Sequence, residues 1–382
     1  MLTTLYVSDG SPKVLRGRIL CYRIFDVGDV IHLDHAERIL ANAPGLRRAR
    51  LSREGAESLA FTSPPLDVGL GRRTLALPKI AQDVEADISA RFFDYAAISV
   101  LFEVPIPPGT RLADLLPLCD ELYDTPVLED QARLEFGPIL ERVAPAIEGR
   151  HAWPGVETYT VIFVEELAGN PTGKDVLNTP GLGKLLLGET SPKRLASEER
   201  GDVVKHAYSY LEDDLAVIDW NSAFVLEPSG SRDIPDILEF ATSQLLELRY
   251  YDDLLDVELN RIYDEVEASG GKWWALFWSP YGRLARKVMR QLLEVTEFTE
   301  RVENSLKVIG DFYLARVYRA AVRRFRVTAW QQSVGRKQAL VGQVYALLKG
   351  EIDMRRNTLL EAAIVLLIVF EIVMAFWPGA GF

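Results

Sequence analysis

Residues 214–248 read DLAVIDWNSAFVLEPSGSRDIPDILEFATSQLLEL, and the character of the chain changes inside them. The first half sets two short apolar runs on either side of Asp219–Asn221, the pattern of two short strands joined by a turn. A Pro-Ser-Gly-Ser run then breaks the pattern. Asp233 is placed to cap a helix, with Pro235 in its first turn. Upstream of this point the chain mixes strand and helix signals, and downstream it is nearly all helix-forming.

The helix predicted from Asp233 carries Leu238, Ala241, Leu245, Leu248, Asp252, Leu255, Leu259, Ile262 and Val266 at three-four spacing. That is a coiled-coil seam of about four heptads. Asp252 occupies an apolar position of the seam. Either it sets the register by pairing with an arginine of a facing helix, or it lies where the helix is solvated. Asp252, Asp253, Asp256 and Glu258 have no spacing that compels a metal site, so no metal is expected. SGGKWWALFWSPYG (269–282) breaks the helix. Its Trp273, Trp274 and Trp278 fit a partner or membrane-interface contact and an apolar plug at a hairpin tip equally well. A second seam from Leu284 to Ile309 suggests an antiparallel hairpin, with Asp311 capping a third helix.

Upstream, RGRILCYRIF (16–25), GDVIHL (28–33), AAISVLFEV (96–104) and ETYTVIFVEEL (157–167) read as strands. DHAERILANA (34–43) reads as a short helix capped by Asp34. TRLADLLPLCDELYD (110–124) reads as an amphipathic helix that Pro117 kinks or breaks. GNPTGKD (169–175) misses the phosphate-loop spacing and reads as a turn. HLDH (32–35) is too poor in ligands for zinc.

Toward the end, RRNTLLEAAIVLLIVFEIVMAFW (355–377) sets two arginines before a long apolar run. Leu359–Trp377 would span roughly 28 Å as a helix, close to a ~30 Å hydrocarbon core. Trp377 and Arg355 with Arg356 mark its two interfaces. The positive-inside rule places the preceding residues in the cytoplasm. Glu361 lies near the headgroups and can pair with Arg355 or Arg356. Glu371 lies deeper, where an ionised carboxylate costs on the order of 2.5–3.5 kcal/mol. Self-association through helix-to-helix hydrogen bonds, an ion path, or snorkelling with local water would each accommodate it. From 311 to 357 there are ten basic and three acidic residues, and the basic stretch 316–337 suits acidic helices of the same protein, anionic lipid headgroups or RNA.

Bulk composition agrees with a folded protein: 382 residues, 48% hydrophobic and 26% charged, with net charge −12. The acidic balance argues against nucleic acid as a general partner. Cys21 and Cys119 are the only cysteines, which fits a reducing compartment, and the first twenty residues lack a signal peptide.

Three stretches carry a family resemblance: DIPDILEFATSQLLELRYYDDLLD (233–256), LEDDLAVIDWNSAFVLE (211–227) and LLEAAIVLLIVFEIVMAFW (359–377). On these the chain resembles the RMD/SIF family, "required for meiotic nuclear division", in its bacterial form. The resemblance implies a self-assembling membrane scaffold tied to translation or division machinery, without catalytic residues to carry over.

The sequence thus predicts an α+β head domain (1–230), a helical, coiled-coil-like hairpin stalk (231–358) and one C-terminal transmembrane helix (359–377). The expected protein is a non-enzymatic, homo-oligomeric scaffold or tether, without cofactor, tail-anchored in the bacterial inner membrane with its N-terminal domain cytoplasmic. The alternative is an oligomeric ion channel or transporter with Glu371 lining the helix interface.

Overall fold

The computed structural model describes residues 11–48, 63–191, 193, 195–269 and 312–376, together with 289, 293 and 296. Packing divides the chain into two units. One takes in Met1–Tyr250 and Glu300–Trp330, the other Tyr251–Thr299 and Gln331–Phe382, so far as those residues are described.

The first unit is built on a ten-stranded mixed sheet. Its central strand, β1 (Lys13–Asp26), is apolar on both faces from Ile19 onward, the signature of a strand covered on both sides. It pairs antiparallel with β6 (Ala97–Pro105), with β9 (Val156–Leu167) and, at its start, with β7 (Thr110–Arg111). On one flank follow β5 (Gln82–Phe92), β4 (Leu66–Leu77) and β3 (Arg47–Arg48). On the other lie β12 (Ser222–Leu226), β11 (Leu215–Ile218) and β10 (Ala207–Tyr208). β12 runs parallel to β9, and every other pairing in the sheet is antiparallel. β2 (Val30–Ile31) and β8 (Ile147–Glu148) form a separate two-stranded ladder.

One face of the sheet is covered by α1 (Leu33–Ile39), α2 (Leu116–Tyr123), α3 (Pro126–Val143) and α5 (Leu182–Leu187). Ile19, Cys21, Ile98, Val100, Phe102 and Ile162 point into that core. α4 (Gly173–Leu177) and α6 (Ser197–Lys205) lie toward β11. The other face carries Leu20, Tyr22, Ile24, Tyr159 and Phe163. The first part of α7 (Asp233–Ser269) and α8 (Phe312–Arg324) cover it, with Phe93 against Phe240 and Tyr159 against Phe325. Residues 237–248 of α7 are therefore buried around most of their circumference, more widely than a two-residue seam requires.

Several local expectations change. Pro117 sits in the first turn of α2, after a 3-10 turn at Leu112–Leu115, and does not kink a longer helix. His32, not Asp34, precedes α1. The 169–175 turn leads into α4 through a reciprocal capping box between Thr172 and Asp175. The β4–β5 hairpin and α3, which lack a clean periodicity, were not expected from the sequence. A bulge between Gly69 and Gly71, with Gly71 at φ +91°, interrupts the alternation of β4.

In the second unit, α7 continues from Tyr251 and α9 (Val327–Phe376) from Gln331. Leu255, Leu259, Val334 and Val341 are buried there. Asp252 is paired, but with a lysine where an arginine was expected. Lys337 Nζ lies 2.8 Å from its carboxylate and 2.6 Å from that of Asp256 one turn on. Burial alone would lower the Lys337 pKa, and the two carboxylates outweigh it and raise it. The second seam, the Trp273–Trp274–Trp278 cluster, Asp311 and Trp377 lie outside the described residues.

Candidate functional site

A cavity of about 1160 Å³ opens on the α7 face of the sheet, over strands β6, β5 and β4. Its floor is a short row of modest side chains, Leu101, Ser89 and Gly69, set side by side by the strand register. Charged residues flank the row two positions away along each strand, because period-two alternation returns the same face there. One wall is the turn Ser229–Arg232 and the first turns of α7, and the other is Gly45–Arg48.

Arg91 organises one end. Its Nε donates to Asp67 Oδ1 (2.7 Å) and its Nη2 to Asp67 Oδ2 (3.3 Å). Nη1 donates to Asp236 (3.0 Å) and Glu239 (2.5 Å) of α7. One guanidinium thus serves three carboxylates, with Arg47 adding a bond to Asp67 at 3.2 Å. Burial pushes the Glu239 carboxyl up, Arg91 pulls it down and Asp236 pushes it up again, leaving it at about 7. At the other end Arg232 grips Glu103 through both terminal nitrogens (2.8 and 2.6 Å), and Arg18 adds a third bond at 3.1 Å. Burial raises the Glu103 pKa, but the two arginines outweigh it and hold it below the usual range.

Five arginines and five carboxylates line the cleft, so its formal charge is zero. It is a surface of fixed, paired polar groups, suited to recognising a polar molecule and not to gathering a polyanion. Cys21 and Cys119 are buried free thiols held in the neutral form, Cys21 pushed up to about 11 by burial, so neither is a ready nucleophile. Among the described residues, no group of three or more His, Cys, Asp or Glu is arranged to hold a metal ion.

Asp233, expected at the start of the helix, lines the cleft, and none of the other cleft residues stood out in the sequence. Arg91 in ADISARFF and Glu103 in VLFEVP are charges inside strand-like alternation, and that was the only signal. The other residues singled out there lie elsewhere. Glu361 and Glu371 are on α9 and exposed. Arg355 and Arg356 fall within the same helix, and their side chains are outside the described residues. Residues Asn357–Met374 of α9 form a helix long and apolar enough to cross a membrane, with none of its length buried. Seven consecutive residues, Ile364–Phe370, are each 50% exposed or more. At 100° per residue they cover every side of the helix.

Fold and cleft together define a mixed-sheet domain with a polar cleft, followed by helices. This chain belongs to the family described as "Uncharacterized protein MJ0711, N-terminal domain", whose profile matches residues 16–232. The match ends one residue before α7. It is similar to the uncharacterized protein MJ0711 of Methanocaldococcus jannaschii, 25% identical over 221 residues, 58% of this chain and 66% of that protein's length. No solved structure matches.

These findings overturn the RMD/SIF resemblance. The matching family is a different one, and the relative is archaeal where a bacterial relationship was expected. The expected ties to translation and division machinery rested on that resemblance and fall with it. The physical reason is that two of the three stretches compared were an amphipathic helix and an apolar run. Their composition is set by burial, which unrelated helices share.

Proposed function

We propose that this protein is a membrane-anchored recognition module: α9 crosses the bilayer once, and the sheet unit presents its polar cleft to a water-soluble partner. The carrying observation is the run Asn357–Met374, 18 residues with no part buried. A helix apolar on all sides needs an apolar surround, and a run of this length would span roughly 27 Å of a bilayer core. Eleven Leu, Ile, Val and Phe residues between 359 and 373, at about 0.3–0.6 kcal/mol each, supply roughly 3–7 kcal/mol of insertion. That exceeds the roughly 2.5–3.5 kcal/mol cost of one carboxylate at Glu371.

In this reading the protein is a tether, not a catalyst. Lys337, Lys349, Arg355 and Arg356 precede the run, and no Lys or Arg lies between 357 and 382, which favours the sheet unit on the cytoplasmic side. The helix pair held by Lys337 serves as a coiled-coil stalk. Glu371 is met by its counterpart in a second copy, making the anchor the site of self-association. An ion path along a ring of such helices is the alternative use of the same residue.

Alkaline carbonate extraction of membranes tests the anchor. The full chain is expected to stay in the pellet, and Leu366→Lys with Val369→Lys to release it. Release of the unmodified chain by carbonate refutes the reading. For self-association, cross-linking in mild detergent is expected to give dimers or larger species that Glu371→Leu diminishes. A strict monomer, or an unchanged pattern in Glu371→Leu, rules it out.

A further inference from the structure

The end of β1 and the two-stranded ladder beside it enclose an imidazole with two acceptors. His151 Nε2 lies 3.1 Å from Asp26 Oδ2, and the Asp26 side chain is fully buried. Its Nδ1 lies 3.0 Å from the Gly149 carbonyl and 3.8 Å from Asp29. Gly149 is fixed in place: its φ is +59°, and a Cβ there would collide with the Asp29 carboxylate. The imidazole stacks on Tyr250 with centroids 4.5 Å apart and planes 9° from parallel, and Trp153 meets Tyr250 edge-on. Tyr250 is the last residue of α7 inside the sheet unit.

We propose that His151 is a proton-operated latch on α7: as imidazolium it holds Tyr250 against the sheet, and as neutral imidazole it lets that turn of the helix go. Two oxygen acceptors on two ring nitrogens require two N–H groups, which only the charged ring provides. Whichever proton leaves to water, one acceptor loses its donor. If Nε2 keeps its proton, the Nδ1 lone pair faces the Gly149 carbonyl at 3.0 Å with the Tyr250 hydroxyl, at a long 3.5 Å, as the donor within reach, and that repulsion turns the ring and loosens the stack. If Nδ1 keeps it, the buried Asp26 carboxylate loses the imidazole and is left with the backbone amides of Gly28 and Val27.

The groups around the ring are known from each side. Asp26 comes from β1, and Asp29 from the link to β2. Glu148 of β8 is bonded to His32. Tyr250 comes from α7, and beside it Arg249 pairs with Glu157 of β9. Burial alone would lower the His151 pKa, but the Asp26 bond and charge, the Gly149 carbonyl and Asp29 outweigh it and raise it above the ordinary histidine value. The latch therefore opens as pH rises above the ordinary histidine range.

Hydrogen exchange of the full chain in detergent tests this, with rates corrected for intrinsic pH dependence. Protection of the amides at Gln244–Tyr250 is expected to fall roughly 10- to 100-fold from pH 6 to pH 9, the loss of one buried hydrogen bond. Strand β9 at Tyr159–Val164 should keep its protection. His151→Gln should be poorly protected at both pH values, and Asp26→Asn should move the transition to lower pH. Protection at 244–250 that is independent of pH in the unmodified chain overturns the proposal without reference to any variant. A transition that persists in His151→Gln also overturns it.

Discussion

Replacing Arg91 by leucine should be one of the most damaging single changes in the sheet unit, and the damage should depend on pH. The substitution leaves Asp67, Asp236 and Glu239 facing one another without the guanidinium that joins them. Their side chains are 9%, 20% and 3% exposed, so Glu239 has the least access to water. Removing one member of a buried ion pair costs about 3–5 kcal/mol, because the remaining charge is stranded. For a domain of this size, 1 kcal/mol corresponds to roughly 2–4 °C in the melting midpoint. A drop of about 6–20 °C is therefore expected at pH 8 for the full chain in detergent, followed by circular dichroism.

At pH 5.5 the drop should shrink. Glu239 already sits at about 7 with Arg91 present, so below that pH it is neutral and no longer needs a cation. Arg91→Leu combined with Glu239→Gln should recover part of the loss at pH 8. A midpoint within 2 °C of the unmodified protein at pH 8, or an equal loss at both pH values, would refute the reasoning that stranded carboxylates carry the cost.

Glu239→Gln alone should flatten the pH dependence of stability. The folded carboxyl keeps its proton up to about pH 7 while the unfolded one releases it at ~4.3, so stability falls as pH rises between them, by about 4 kcal/mol in all through this group; denaturant midpoints at pH 5 and 8 measure the slope. Lys337→Met should leave Asp252 uncompensated between α7 and α9 and cost about 1–3 kcal/mol, with Asp252→Asn in the same chain restoring part of it, read as the melting of helical signal. Thr172→Ala should remove the capping box of α4 and cost about 1 kcal/mol, seen as a small shift of the melting midpoint without loss of the sheet signal.

Strands rich in β-branched and aromatic residues and bounded by turn signals were legible in the sequence. ETYTVIFVEEL became β9 within one residue, and the turn at Asp219–Asn221 separates β11 from β12. The apolar stretch of α9 was legible because a run of that length has few soluble uses. The β4–β5 hairpin was not. Its alternation is interrupted at Gly69–Gly71, and its outward positions carry Arg72, Arg73 and Asp87, so it reads as a polar loop. The cleft was invisible for a different reason. Arg18, Asp67, Arg91, Glu103 and Arg232 converge only through the pairing of four strands and the start of α7. No local spacing encodes that. Asp252 lies between these cases: its need for a cationic partner was readable, but not that Lys337 would answer it.

The position of β1 at the middle of the sheet has a consequence for taking the protein apart. To one side lie β6, β5, β4 and β3, which follow one another in space by local hairpins. To the other lies β9 with β12, β11 and β10. Residues 13–26 are the seam between these two blocks, and they precede both in the chain. Cutting the backbone just after Asp26 would turn this strand into a detachable peptide with two waiting edges. With the backbone cut there, a separate fourteen-residue strand added back should restore the pairing of β6 and β9 across it, a test of how far each flank holds together by itself.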